Sequence, residues 1–100
     1  MREIFERLVA ANIQILPLGQ IANHVVFERG GYISLVERLA EGLGRVGAGG
    51  LLTARGFAAL MWRDGVGMFV AKGGFERVAT EADIAELRRF QSDLEQAIQR

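Results

Sequence analysis

The chain has 100 residues, of which 50% are apolar and 24% are charged, and its 12 Lys and Arg residues balance its 12 Asp and Glu residues. This length and composition predict one folded domain over residues 1–100, and the zero net charge argues against nucleic acid or an anionic membrane as partner, because both bind basic surfaces. The absence of cysteine excludes disulfides, thiolate nucleophiles and Cys-ligated zinc, and we expect a cytoplasmic protein without a secretory signal or membrane span.

The N-terminal segment predicts a short amphipathic helix over residues 2–11. Its apolar side chains recur at helical spacing, as Ile4, Phe5, Leu8 and Val9. Residues 13–15 then alternate in polarity, which is typical of a short strand, and Pro17 ends whatever precedes it.

A first β-hairpin is predicted around Gly30-Gly31, because two β-rich runs flank a pair of residues suited to a two-residue turn. On one face the expected pairs are Arg29 with Tyr32, Phe27 with Ser34 and Val25 with Val36. On the other face they are Glu28 with Ile33, Val26 with Leu35 and His24 with Glu37. A competing interpretation continues residues 33–43 as a helix, with Leu35, Val36 and Leu39 as its apolar stripe.

The next stretch, residues 39–56, contains too many glycines for a stable helix. We therefore predict a flexible connection over Gly47–Gly50. The wider run Gly42–Gly50 lacks the Gly-Lys-Ser/Thr sequence of a phosphate-binding loop, so it predicts no nucleotide site.

A second β-hairpin is predicted over residues 57–72, because Asp64-Gly65 between apolar strands is a strong turn signal. The expected pairs are Trp62 with Gly67, Leu60 with Phe69, Met61 with Met68 and Ala59 with Val70. A third strand is expected over residues 75–78.

The C-terminal helix is the most strongly patterned element, and we expect it to run from a capping box at Thr80 to about Ala97. Its predicted buried stripe consists of Ile84, Leu87, Phe90, Leu94 and Ile98. Arg89 is placed to pair with Glu86 and with Asp93 at helical spacings.

Together these elements predict an α+β fold with a mostly antiparallel sheet of about five strands, built from two hairpins. Amphipathic helices lie at both chain ends, and the C-terminal helix packs on the sheet. The order of elements resembles that of roadblock and longin domains, which are small regulatory domains. Those domains have a full helix where this chain has glycines, so the resemblance carries over no residues.

Catalytic chemistry finds little support in the sequence. His24 is the only histidine, and its expected neighbour Glu37 makes the two a candidate pH-sensitive pair, although a purely structural cross-strand pair is the favoured explanation. No Gly-x-Ser-x-Gly motif surrounds a serine, and one histidine with helix-face carboxylates assembles no metal site. We expect no catalytic residues, no metal and no cofactor.

The candidate functional residues lie in the second hairpin, because alternation makes both of its faces apolar. They are Met61, Trp62, Arg63, Met68 and Phe69. The second face must be covered by the N-terminal helix, by another subunit or by an apolar ligand. We therefore expect a non-catalytic homodimeric interaction or regulatory module that can hold a protein partner. The alternative is a small-molecule-binding domain or weak enzyme with an apolar pocket around Trp62 and Phe69, anchored by His24 or Arg63.

Overall fold

The computed structural model of the chain describes residues 2–17, 23–54 and 56–99. Helix α1 spans Arg2–Ala10 and helix α2 spans Glu81–Ile98. Among the described residues seven strands form one sheet: β1 Gln14–Leu16, β2 His24–Arg29, β3 Tyr32–Leu39, β4 Gly42–Thr53, β5 Gly56–Arg63, β6 Val66–Ala71 and β7 Phe75–Val78. The strands follow each other in the sheet as they do in the chain, and every neighbouring pair is antiparallel. The α+β class, the antiparallel sheet and the C-terminal helix packed on it are confirmed.

The registers of both predicted hairpins are confirmed. The pairing of β2 with β3 places His24 opposite Glu37 and Arg29 opposite Tyr32, and that of β5 with β6 places Trp62 opposite Gly67. Gly30 and Gly31 have φ angles of 62° and 89°, as a two-residue turn of this kind requires. The competing helix over residues 33–43 is wrong, because residues Tyr32–Leu39 are extended.

The expectation of a flexible glycine connection is wrong, and this is the main reason why the sheet exceeds five strands. Residues Gly42–Thr53 form β4, a 12-residue strand that pairs with β3 on one side and with β5 on the other. The register of β3 with β4 shifts between Ser34 and Val36 and again between Val36 and Arg38.

Two glycines of β4 lie where neighbouring elements approach closely. A Cβ atom at Gly49 would lie 2.6 Å from Nε2 of Gln91 and 3.1 Å from Cδ1 of Leu87, both on α2. A Cβ atom at Gly50 would overlap the carbonyl oxygen of Ala58 on β5. Glycine is therefore required at Gly50, where the backbone of β5 would have to move, whereas the sequence pattern indicated only flexibility.

The main core lies between α2 and one face of the sheet. The predicted stripe of α2 is confirmed, since Leu87, Phe90 and Leu94 are at most 2% exposed. These side chains belong to one buried cluster with four residues of the sheet: Phe27, Val36, Ala58 and Phe69.

Helix α1 packs on the same side of the sheet as α2. Leu8 is buried in the same cluster, and Nε of Arg7 donates a hydrogen bond of 2.8 Å to the carbonyl oxygen of Ala97 near the end of α2. Half of the predicted apolar stripe of α1 is not buried, because Phe5 and Val9 are 54% and 73% exposed.

Asp93 of α2 pairs with the sheet rather than with its own helix. Arg89 pairs with Glu86, as predicted, but Asp93 accepts a hydrogen bond of 2.9 Å from Nη1 of Arg29 on β2. The Arg29 guanidinium also donates to the carbonyl oxygen of Ala11, so it links β2 to α2 and to the end of α1.

Candidate functional site

The sheet has a second face that points away from both helices, and we call it the outer face. Across β5, β6 and β7 the register aligns Met61, Met68 and Val78 in one row on this face. Met61 and Val78 are 49% and 56% exposed, while Met68 is half-buried. The row is therefore an apolar surface in contact with solvent.

More apolar side chains extend the outer face around this row. Ala59 and Val70 form the adjacent row, and Leu52 and Val66 are 39% and 47% exposed at its borders. A monomer rarely leaves contiguous apolar side chains uncovered over several strands, and such surfaces usually mark interaction sites.

The outer face has a buried end at β2 and β3. Val26 and Ile33 are 1% and 0% exposed, although they do not belong to the cluster packed against the helices. Gly50 lies opposite Ile33, and the position that its Cβ would take is 2.9 Å from Cε1 of Phe57. The aromatic ring thus covers the glycine backbone, which is a common way to protect such a site.

An ion pair crosses the exposed end of the outer face. Nη1 of Arg63 on β5 lies 3.0 Å from Oε1 of Glu76 on β7, and both side chains are about half exposed. The register places Met68 on the strand between them. The opposite charges of Arg63 and Glu76 therefore compensate each other on this face.

The structure divides the five predicted site residues between two surfaces. Met61, Arg63 and Met68 lie on the outer face, whereas Trp62 and Phe69 point to the side that carries the helices. Phe69 is 0% exposed, and Trp62 is 53% exposed. The ring of Trp62 lies against Gly67, since its Cη2 atom is 3.4 Å from the position of a Cβ there.

His24 and Glu37 are cross-strand partners, as the sequence predicts, and Glu37 is exposed. Their role as a pH-sensitive pair stays a prediction. Among residues 2–17, 23–54 and 56–99, no three His, Asp or Glu side chains are grouped so that they could hold a metal ion. No helix within these ranges is both long enough and apolar enough to cross a membrane.

A polar cluster that the sequence analysis missed surrounds Asp83 at the start of α2. The hydroxyl of Tyr32 donates a hydrogen bond of 2.7 Å to Oδ1, while the backbone N–H of Thr80 and Nη2 of Arg77 donate to Oδ2 at 2.9 and 3.1 Å. The capping box at Thr80 is confirmed. The links from Tyr32 and Arg77 connect β3 and β7 to α2, and no local sequence pattern indicates them.

Electrostatics in this cluster stabilise ionised Asp83 and neutral Tyr32. Burial raises the pKa of Asp83, but the hydrogen bonds from Tyr32 and Thr80 and the charge of Arg77 outweigh burial and hold this pKa below its usual value. Burial, followed by the hydrogen bond to Asp83 and its negative charge, raises the pKa of Tyr32 to about 12. Both oxygens of this carboxylate accept hydrogen bonds from groups of the chain itself, so Asp83 is a structural group at the N-terminus of α2.

Comparison of the chain with known proteins gives no family to which it belongs. No family model matches it, and neither a curated protein nor a solved structure does.

Proposed function

We propose that this chain is a non-catalytic interaction module that forms a homodimer through the exposed end of its outer face. The observation that carries the proposal is the row of Met61, Met68 and Val78, which faces solvent because both helices pack on the opposite side of the sheet. The N-terminal helix α1 therefore does not cover this face, which leaves another subunit or an apolar ligand.

A second copy of the chain fits this surface better than a charged partner does. The exposed end of the face holds one Arg63–Glu76 pair, and the whole chain has zero net charge, so two copies do not repel each other. A two-fold axis brings the same apolar patch of two copies face to face, and two-fold dimers are the commonest oligomers of soluble proteins. A stable interface buries about 800 Å² on each partner, so the contact extends from the row toward Leu52 and Val66.

The alternative function, a small-molecule pocket around Trp62 and Phe69, is less well supported. A pocket around Trp62 and Phe69 would need Phe69 to offer a surface, and this side chain is fully buried. The regulatory role of the dimer, its cytoplasmic location and its additional protein partner are parts of the same proposal.

Light scattering coupled to size-exclusion chromatography tests the dimer with a matched pair of variants. Met61→Asp places a charge in the exposed row, and we expect it to give a folded particle with the 11.0 kDa mass of one chain. Val9→Asp makes the same kind of change on α1, where Val9 is 73% exposed, and we expect it to retain the native dimer mass.

Two outcomes would contradict the proposal. A native chain that is monomeric at all accessible concentrations would exclude the proposed homodimer. A dimer that survives Met61→Asp but dissociates with Val9→Asp moves the interface to α1. Far-UV circular dichroism of both variants verifies that a change in mass does not reflect unfolding.

A further inference from the structure

A separate apolar cleft lies on the side of the sheet that carries the helices, between α1, the strands β1 and β2, and the turn that joins β3 to β4. Its volume is about 390 Å³. Leu8 and Phe27 line it and are 3% and 1% exposed, so they form its base. Phe5, Ile15 and Leu39 also line it and are 54%, 44% and 38% exposed, so they form its rim.

Arg38 is the only charged residue in the described lining of this cleft. The strand pairing fixes its backbone, since it lies opposite Leu43 and its N–H donates a hydrogen bond of 2.8 Å to the carbonyl oxygen of Asn23. An arginine guanidinium beside an apolar cleft offers two parallel donors to a carboxylate whose hydrocarbon part lies against the apolar walls.

An adjoining cleft contains the other charged side chains of this region. It shares Ile4, Gly42 and Leu43 with the apolar cleft and is also lined by Glu3, Arg7 and Glu41. The Arg7 guanidinium is occupied by the carbonyl oxygens of Ala97 and Gln99 at the end of α2. Arg38 is therefore the cation of this region that lies at the apolar walls.

We propose that this cleft binds a single-chain amphiphile with a carboxylate head, whose chain contacts Leu8 and Phe27 and whose head is bound by Arg38. An apolar cavity of about 150 Å³ accepts a benzene molecule, and ligand sites of proteins begin at about 300 Å³. The volume of about 390 Å³ thus suits a medium-length acyl chain. This inference is independent of the dimer, because the cleft and the outer face lie on opposite sides of the sheet.

Isothermal titration calorimetry tests the proposal with three probes that share one chain length: decanoate, decanol and decyltrimethylammonium, each below its micelle concentration. We expect saturable binding of one decanoate per chain, weaker binding of decanol and the weakest binding of the cation. Arg38→Gln is expected to weaken decanoate about tenfold and to leave decanol unchanged, because only the carboxylate loses a charged partner.

Two further variants locate the site. Phe5→Ser is expected to weaken decanoate and decanol alike, because it removes part of the apolar rim. Met61→Ser, on the outer face, is the matched control and is expected to change neither affinity. Met61→Asp, the variant that separates the dimer, is expected to retain decanoate binding, so a failure of the dimer proposal is distinguishable from a failure of this one.

Each of the opposite results would overturn the inference. Absence of saturable decanoate binding removes the site. Equal binding of decanoate and decyltrimethylammonium, or no effect of Arg38→Gln, removes the role of Arg38. Loss of binding with Met61→Ser but not with Phe5→Ser assigns the probe to the outer face instead.

Discussion

Replacement of Gly50 by alanine tests the packing of β4 against β5. The new Cβ would overlap the carbonyl oxygen of Ala58, and it would lie 2.8 Å from the carbonyl carbon and 2.9 Å from Cε1 of Phe57. Favourable carbon–carbon contacts lie at about 3.5–4.0 Å, so the two strands must separate by roughly 1 Å. Because backbone rather than a flexible side chain must move, we expect Gly50→Ala to lower the free energy of unfolding by about 3 kcal/mol.

Gly47→Ala is the matched control on the same strand. A Cβ at Gly47 would lie 3.4 Å from the carbonyl oxygen of Leu35, which is ordinary contact, and its φ is outside the left-handed region. We expect this variant to be within about 1 kcal/mol of the native chain, since alanine also reduces the entropy of the unfolded chain.

Thermal unfolding followed by circular dichroism measures both variants at one fixed protein concentration, because the Tm of a self-associating chain depends on concentration. For a domain of this size, a loss of about 3 kcal/mol lowers Tm by roughly 12–24 °C. A Gly50→Ala chain that melts within a few degrees of the native chain, or a Gly47→Ala chain that is equally destabilised, would refute the reasoning about close strand packing.

Three further predictions concern the polar groups that attach α2 to the sheet. Asp83→Asn should lower the free energy of unfolding by about 1–2 kcal/mol in urea at pH 7. Because the pKa of Asp83 is lower in the folded chain than in the unfolded chain, the stability of the native chain should fall as pH drops below about 5. The stability of the variant should fall less steeply over the same pH range. Tyr32→Phe should lower the free energy of unfolding by about 1 kcal/mol at pH 7. Because the pKa of Tyr32 is about 12 in the folded state against 10.0 in the unfolded chain, the stabilisation by neutral Tyr32 is complete below pH 10 and disappears toward pH 12. The variant should therefore lose less stability than the native chain between pH 10 and pH 12. Gln91→Ala should cost about 1 kcal/mol, because Nε2 of Gln91 donates to the hydroxyl of the fully buried Ser34 and to the carbonyl oxygen of Gly47; an unchanged urea midpoint would contradict this.

The hairpins and α2 were predictable because their signals are local. Gly30-Gly31 and Asp64-Gly65 adopt the positive φ angles that their turns require, and each turn fixes the register of the strands that it joins. The capping box and the apolar stripe likewise specify α2 from neighbouring residues. Alternation along β5 and β6 then placed Met61 and Met68 on one face and Phe69 on the other.

Strand β4 was not predictable, because the need for its glycines arises from distant parts of the chain. Gly49 packs against Gln91 of α2, and Gly50 packs against the backbone of the neighbouring strand β5. The local sequence of these residues indicates only weak strand propensity. The hydrogen bond between Tyr32 and Asp83 joins residues 51 positions apart, so no local sequence pattern could predict it.

The exposure of the outer face also depends on tertiary structure. The sequence left α1 as one of three elements that could cover this face. The burial of Leu8 in the main core and the hydrogen bond from Arg7 to Ala97 show that α1 packs on the other side. The division of the five predicted site residues between two surfaces follows instead from alternation along β5 and β6.

Nuclear Overhauser effects between copies test the proposed interface most directly. In a sample that mixes isotope-labelled and unlabelled chains, a filtered experiment detects contacts of the Met61 and Met68 methyl groups with protons of the other copy. The account predicts such contacts to both methyl groups and none to the methyl groups of Val9 on α1. Contacts between copies at Val9 without any at Met61 and Met68, or no contacts between copies at all, would contradict it.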